Sequence, residues 1–189
     1  MFDFDAGSDG ASGPFINWHA NGRKDGTAGA KSFSMKGDGD REDVTPNFEK
    51  GVVFDIDSLK TGWALFSPTG TEWKWNDTVS RMSPKPGDDW KKGLSIRIAT
   101  SKDESGLWQQ AGAGAFQAFA ELAKELKDGE RGKLPLVKMT GTFDLQFGNG
   151  GSTTCAKLEV AKWVDRPDSL AEGAGAEAVA DEPADDDEF

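Results

Sequence analysis

Between Glu72 and Lys102, seven cations (Lys74, Arg81, Lys85, Lys91, Lys92, Arg97 and Lys102) stand against four acids, with Trp73, Trp75 and Trp90 set among them. Positive side chains track a phosphate backbone, and indole faces stack on unpaired bases whatever the base. Those residue types at that density suit a nucleic acid single strand held without sequence preference. The plainer alternative is packing. Trp73 and Trp75 share one face of a strand and would serve equally as core, and Arg97 equally as a solvated strand residue. Trp63 and Trp108 would extend the stacking surface if they are exposed.

A second cluster, NWHANGRKDG, brings Trp18, His19, Arg23 and Lys24 together, followed by Lys31, Phe33 and Lys36. It could form a basic arm over the same strand. His19 is the sole histidine and Cys155 the sole cysteine, so a His/Cys metal site lacks partners and no metal or cofactor is expected. GDGDREDVTPNFE places Asp38, Asp40, Glu42 and Glu49 at calcium-loop spacing. However, Asp43 stands where the sharp turn needs glycine and Pro46 occupies a ligand position, so that reading fails. AGAGAF before a helix could cradle phosphate, but a tight strand-to-helix connection explains it more simply. Nucleophilic catalysis would have to recruit His19 from a loop-like stretch, and Asp55/Asp57 stand at strand spacing on an exposed face. An enzyme is not expected.

The elements that must position these residues are mostly strands. FINWHANG and KSFSMKG flank a turn-rich loop, and GVVFDID, GWALF and TEWKW read as further strands. KGLSIRIATS alternates most clearly, with Leu94, Ile96 and Ile98 on one side. One helix is expected in AGAGAFQAFAELAKELKDG, with Phe116, Phe119, Ala123 and Leu126 as its apolar stripe and Gly129 as its C-terminal cap. Gly-Asn-Gly-Gly then joins two long β-runs as a hairpin. The pattern is mainly β with one helix. From about Val52 to Val164 it fits an OB-like five-stranded barrel, whose helix falls between the third and fourth strands, with N-terminal strands added. A generic α+β sheet is the competitor.

Charge divides the chain. Residues 167–189 hold nine acids and no base, leaving 24 acids against 22 bases in the rest. Three segments are expected: a flexible N-terminus (1–13), a folded body (14–166) and a disordered acidic tail (167–189). No signal-like or membrane-spanning run is present, and the cysteine usage points to a reducing cytoplasm. In the tail, Asp185, Asp186, Asp187 and Glu188 lead into Phe189. With Phe189 as the last residue, its ring and carboxylate could enter one basic, apolar-walled pocket on a partner. The same polyanion, tethered about 25–28 Å from its root by a flexible-chain estimate, could also occupy a cationic groove on the body and compete with nucleic acid.

An OB-type body followed by a Gly/Ala-rich acidic tail ending in Phe resembles the single-stranded DNA-binding proteins of bacteria and, more closely, those of short-tailed phages. FINWHANGRKDGTAGAKSF, GVVFDIDSLKTGW, DWKKG and LEVAKWVDRP also look like a family of phage-encoded proteins of this kind, over residues 14–166 and the tail. Asp-Glu-Phe stands where the bacterial form has Ile-Pro-Phe. The resemblance implies single-stranded DNA binding in replication, recombination or repair within the host bacterial cytoplasm, with the tail recruiting replication and recombination proteins. The residues expected at the DNA are Arg23, Lys24, Lys31, Phe33, Trp63, Lys74, Trp75, Arg81, Lys85, Trp90, Lys91, Lys92, Arg97 and Trp108. A homodimer is left open. The alternatives are a carbohydrate- or virion-binding β-module, whose tryptophans would meet sugars, and a small hydrolase, supported only by carboxylate pairs.

Overall fold

The computed structural model describes residues 13–171. The segment expected to be a flexible N-terminus (but for Gly13) and the expected acidic tail from Glu172 onward, with Asp185–Phe189, lie outside the described residues. The fold is mainly β with one main helix and a curled mixed sheet. Its strands are β1 (Phe15–His19), β2 (Ser32–Lys36), β3 (Glu42–Asp43), β4 (Val52–Ser67), β5 (Gly70–Trp75), β6 (Lys91–Ala99), β7 (Ser105–Ala111), β8 (Leu134–Gln146) and β9 (Ser152–Val164). Helix α1 (Thr45–Lys50) precedes β4, and the main helix α2 (Ala113–Ala123) lies between β7 and β8. The strand order is β3-β2-β1-β7-β6-β4-β8-β9, with β5 paired to β4 beside that path. Nine strands in one sheet replace the expected five-stranded barrel. The β1–β7 pairing is parallel; the other strand pairs are antiparallel.

GVVFDID and GWALF, expected as separate strands, form the single long strand β4. Its polar middle is absorbed by a register shift between Asp55 and Lys60, where Ser58 Oγ donates to the Asp55 carbonyl and accepts from the Arg97 amide. Such a bulge bends a strand. It lets the first half of β4 pair with both β8 and β6, and the second half pair with β6 and β5.

The inner face follows from alternation. Leu94, Ile96 and Ile98 of β6 are fully buried with Phe54 of β4, Trp108 of β7 and Ile16 of β1. Phe33 stacks on Phe48 of α1 with ring centroids 3.9 Å apart, and Trp108 meets Phe33 edge-on at 5.4 Å. Helix α1 grows from the segment considered as a calcium loop: Pro46 sits in its first turn, where a missing N–H costs nothing. Helix α2 buries Ala115, Ala118, Phe119 and Leu122, a stripe different from the expected one. It also stops at Ala123. Gly129 does not cap α2; in extended backbone it closes the 3-10 turn Leu126–Asp128 that follows, under Trp163, whose ring would be 2.5 Å from any Cβ there.

Beyond β8, the outer edge of β9 meets side chains. Trp18 Nε1 donates to the Thr154 carbonyl, and the Val160 amide donates to Glu125 Oε2. The folded body runs five residues past the expected boundary at 166. Leu170 is fully buried against Ala99 and Leu134, and Ser169 is hydrogen-bonded to the Lys102 and Ser101 carbonyls. Arg166 holds this strap down through the wholly buried Asp55 (2.9 Å) and the exposed Asp57 (2.6 Å).

Candidate nucleic-acid interface

Directly paired residues of neighbouring strands point to the same face of a sheet, so the register assigns each predicted residue to a side. On the face away from the core, Trp75, Gly62, Gly93 and Ala111 form one row across β5, β4, β6 and β7. Trp73, Ala64 and Lys91 form the next row, and Lys60, Ser95 and Gln109 flank the first on its other side. Arg97 pairs with Leu107, Leu107 with Phe15, and Phe15 with Lys36, carrying the same face onto β1 and β2. Phe66, 44% exposed, continues the aromatic side of β4 beyond Ala64. The result is an outer belt with the half-buried Trp73 and Trp75 and the exposed Phe66 and Lys91 at one end, and with Lys60 and Arg97 beside a buried middle of Ser95, Gln109 and Asp55.

The row of small residues is what places the rings. Trp73 and Trp75 stack with centroids 4.5 Å apart and planes 10° off parallel. A Cβ on Gly93 would sit 2.6 Å from the Trp73 ring, and one on Gly62 would sit 2.3 Å from the Lys74 carbonyl oxygen. The absent side chain at Gly93 therefore leaves room for the Trp73 ring, and the one at Gly62 lets the β5 backbone come close. The Trp73 Nε1–H is buried with no acceptor among the described residues, so packing rather than a hydrogen bond fixes that ring. On this face Asp55 is taken up by Arg166, and Asp43, paired with Ser34, is an exposed carboxylate at its β3 end.

His19 sits at the far end of the belt. Its Nε2 lies 2.7 Å from Ser34 Oγ, which also accepts from Arg41 Nη1 at 2.9 Å. Burial first, then the charges of Arg41 and Arg23, push the imidazole pKa down from 6.5 to about 4. Across that window the unfolded chain takes up a proton that the native chain refuses, so this group lowers stability as pH falls from 6.5 towards 4 and contributes no slope above it. His19→Gln is expected to shrink the loss of urea resistance between about pH 7 and about pH 5, as read by tryptophan fluorescence.

The predicted DNA residues do not all meet. Trp75, Lys91 and Arg97 lie on the outer belt. Trp63, Lys74 and Lys92 lie on the opposite face, since Trp63 pairs with both lysines. There Lys74 Nζ stands 4.6 Å over the Trp90 ring, and Lys92 Nζ stands 6.0 Å from Trp63 and 5.6 Å from Phe116. Trp63 is buried, with its Nε1 donating to the Ser83 carbonyl, and Trp90 is buried beside it. Arg81 and Lys85 are exposed in the loop between β5 and β6. Lys24 and Lys31 are exposed between β1 and β2, where Arg23 is bound to Asp25 at 2.8 Å. That contact and the Thr27 hydrogen bonds hold the Asp25 carboxyl well below its usual range.

Two expectations are corrected outright. Phe33 and Trp108 have no exposed surface and belong to the aromatic core, so neither can stack on a base. Trp108 alternates with Gly106 and Gln110, and Phe33 is flanked by two serines. Polar neighbours in sequence disguised both as surface residues. Conversely, Lys60, Gln109 and Phe66 were not singled out from sequence; the bulge hid the first, and the other two become visible only through cross-strand register.

Among the described residues no group of three His, Cys, Asp or Glu is placed to hold a metal ion, and no helix is long and apolar enough to cross a membrane. No family model, curated protein or solved structure matches the chain, and the functional reading rests on the geometry of the belt itself.

Proposed function

We propose that the protein is a sequence-tolerant, non-enzymatic single-stranded DNA-binding protein of phage DNA replication and recombination. In this reading Trp73, Trp75 and Phe66 stack on bases while Lys60, Lys91 and Arg97 pair with phosphates. The observation that carries it is the outer belt: a stacked indole pair, with Gly93 leaving room for the Trp73 ring, beside Lys60, Lys91 and Arg97, where the nearby Asp55 carboxylate is already held by Arg166.

The strand order adds support. Along β7-β6-β4-β8-β9, a long bulged strand pairs with the next two partners on either side, the last two strands form a hairpin, and the main helix falls between β7 and β8. That is the order expected of an OB-type barrel, with β1–β3 joined where such a barrel would otherwise close. The acidic tail then serves as the regulatory and recruiting segment. It leaves the body just after Leu170, which packs on Ala99 at the end of β6 that the belt follows, so competition between tail and DNA needs only a short reach.

The test is titration of the full chain and of residues 1–171 with a thymidine oligonucleotide. Ending at 171 rather than 166 keeps Leu170 and the strap. Three phosphate contacts give a salt slope of about −2 on logarithmic axes, which is roughly a 20-fold weakening between about 50 and 200 mM salt. The truncated chain is expected to bind more tightly. No binding by either form at low salt overturns the proposal. The stacked pair Trp73/Trp75 would also suit a sugar ring; a carbohydrate-binding module predicts polysaccharide binding indifferent to salt and no response to the oligonucleotide.

A further inference from the structure

Arg166, at the root of the strap that leads into the tail, also lines a cavity of about 390 Å³, separate from the belt. Its apolar sides are Leu126, Leu134 and Trp163, and Lys127 and Arg131 stand at its margin. Lys133 and Arg166 line it too but are engaged with Asp165 and Asp57. The cavity therefore offers apolar walls, one indole, and two exposed cations, against Glu130.

Residue 171 ends the described body only five positions after Arg166, a wall of this cavity. The 18 residues that follow hold eight acids, no base, and a single aromatic residue at position 189. A flexible segment of that length spans about 21–25 Å on average, so its far end returns easily to a site beside its root. A tether of this kind gives a local concentration on the order of millimolar, enough for a weak site to be occupied.

We infer that this cavity is a docking site for the chain's own tail, taking the Phe189 ring between Leu126, Leu134 and Trp163 with Asp185–Glu188 against Lys127 and Arg131. The aromatic end then has a place of its own outside the face proposed for DNA, and the competition there falls to the acids upstream of it, Glu172, Glu177, Asp181 and Glu182. Docked there, it is withheld from other proteins, and a partner with a better basic, apolar pocket must win it from this one. The inference goes beyond the DNA-binding reading and stands or falls without it, because its test contains no nucleic acid.

The experiment uses the full chain carrying Phe189→p-benzoylphenylalanine, irradiated at low concentration, with cross-linked peptides mapped in the monomer band. Cross-links to residues 126–134 or to Trp163 are expected, and Lys127→Glu with Arg131→Glu should reduce their yield at least fivefold. The same double substitution should leave the urea midpoint unchanged, since both side chains are exposed. Cross-links to β5 or β6 on the belt overturn the inference in favour of direct occupation of that face. Absence of any intramolecular cross-link, or a yield indifferent to the charge reversals, overturns it as well.

Discussion

Trp75→Ala is expected to weaken binding to a thymidine oligonucleotide by about 5- to 150-fold, the range that a lost base–aromatic stack of about 1–3 kcal/mol implies. The residue lies on the outer belt, paired with Gly62, and its ring packs against Trp73 rather than in the core, so the fold should survive the change. Arg97→Ala should act differently. It removes a phosphate partner, weakens binding evenly across sequences, and makes the salt slope shallower by about 0.7. The opposite face supplies the control. Lys74→Ala and Lys92→Ala remove cations that rest on Trp90, Trp63 and Phe116, and should leave affinity within about twofold. Trp108→Phe, a change within the core, should do the same. The inverse pattern, with the belt variants silent and the two lysine variants defective, would move the site to the other side of the sheet.

The second large effect concerns stability. Arg166→Ala is expected to cost about 3–5 kcal/mol, because it strands the wholly buried Asp55 carboxylate without its counter-charge. The companion contact to Asp57 adds little, since that carboxylate is exposed. Asp55→Asn combined with Arg166→Ala should be markedly less damaging than Arg166→Ala alone, and urea midpoints of the four chains measure the coupling. Additive losses in this cycle would show that the pair is incidental. The Asp55 carboxylate 2.9 Å away, more than any other contact, raises the Arg166 pKa further above its ordinary value, so the guanidinium stays charged throughout the range in which the protein would be studied.

How much of this was readable beforehand depended on whether the decisive contact was local. The alternation of Leu94, Ile96 and Ile98 and the Gly-Asn-Gly-Gly turn are local signals, and both elements form where they indicate. The existence of α2 was legible; its end was not, because Gly129 answers to Trp163, 34 positions away in the chain, and not to the helix. Likewise the run Asp57-Ser58-Leu59-Lys60 reads as a break between strands, yet the Ser58 hydroxyl bridges it into one bent strand. The same-face placement of Trp73 and Trp75 followed from their spacing. Which face looks outward did not, since an aromatic residue suits core and surface alike. Only pairing across three strands, which brings Gly93 against the Trp73 ring, decides it.

The parallel junction between β1 and β7 bears on the order in which the molecule is assembled. Trp18 and Gln110, joined there by hydrogen bonds, lie 92 positions apart, and closing so long a loop is slow unless other contacts have already brought its ends together. During synthesis Ile16, Trp18, Phe33 and Met35 emerge early, and apart from Phe48 beside Phe33 the main apolar surface that covers them comes only with β6 and β7. The first strands translated are therefore expected to be among the last to settle, leaving four large apolar side chains exposed to chaperones in the interval.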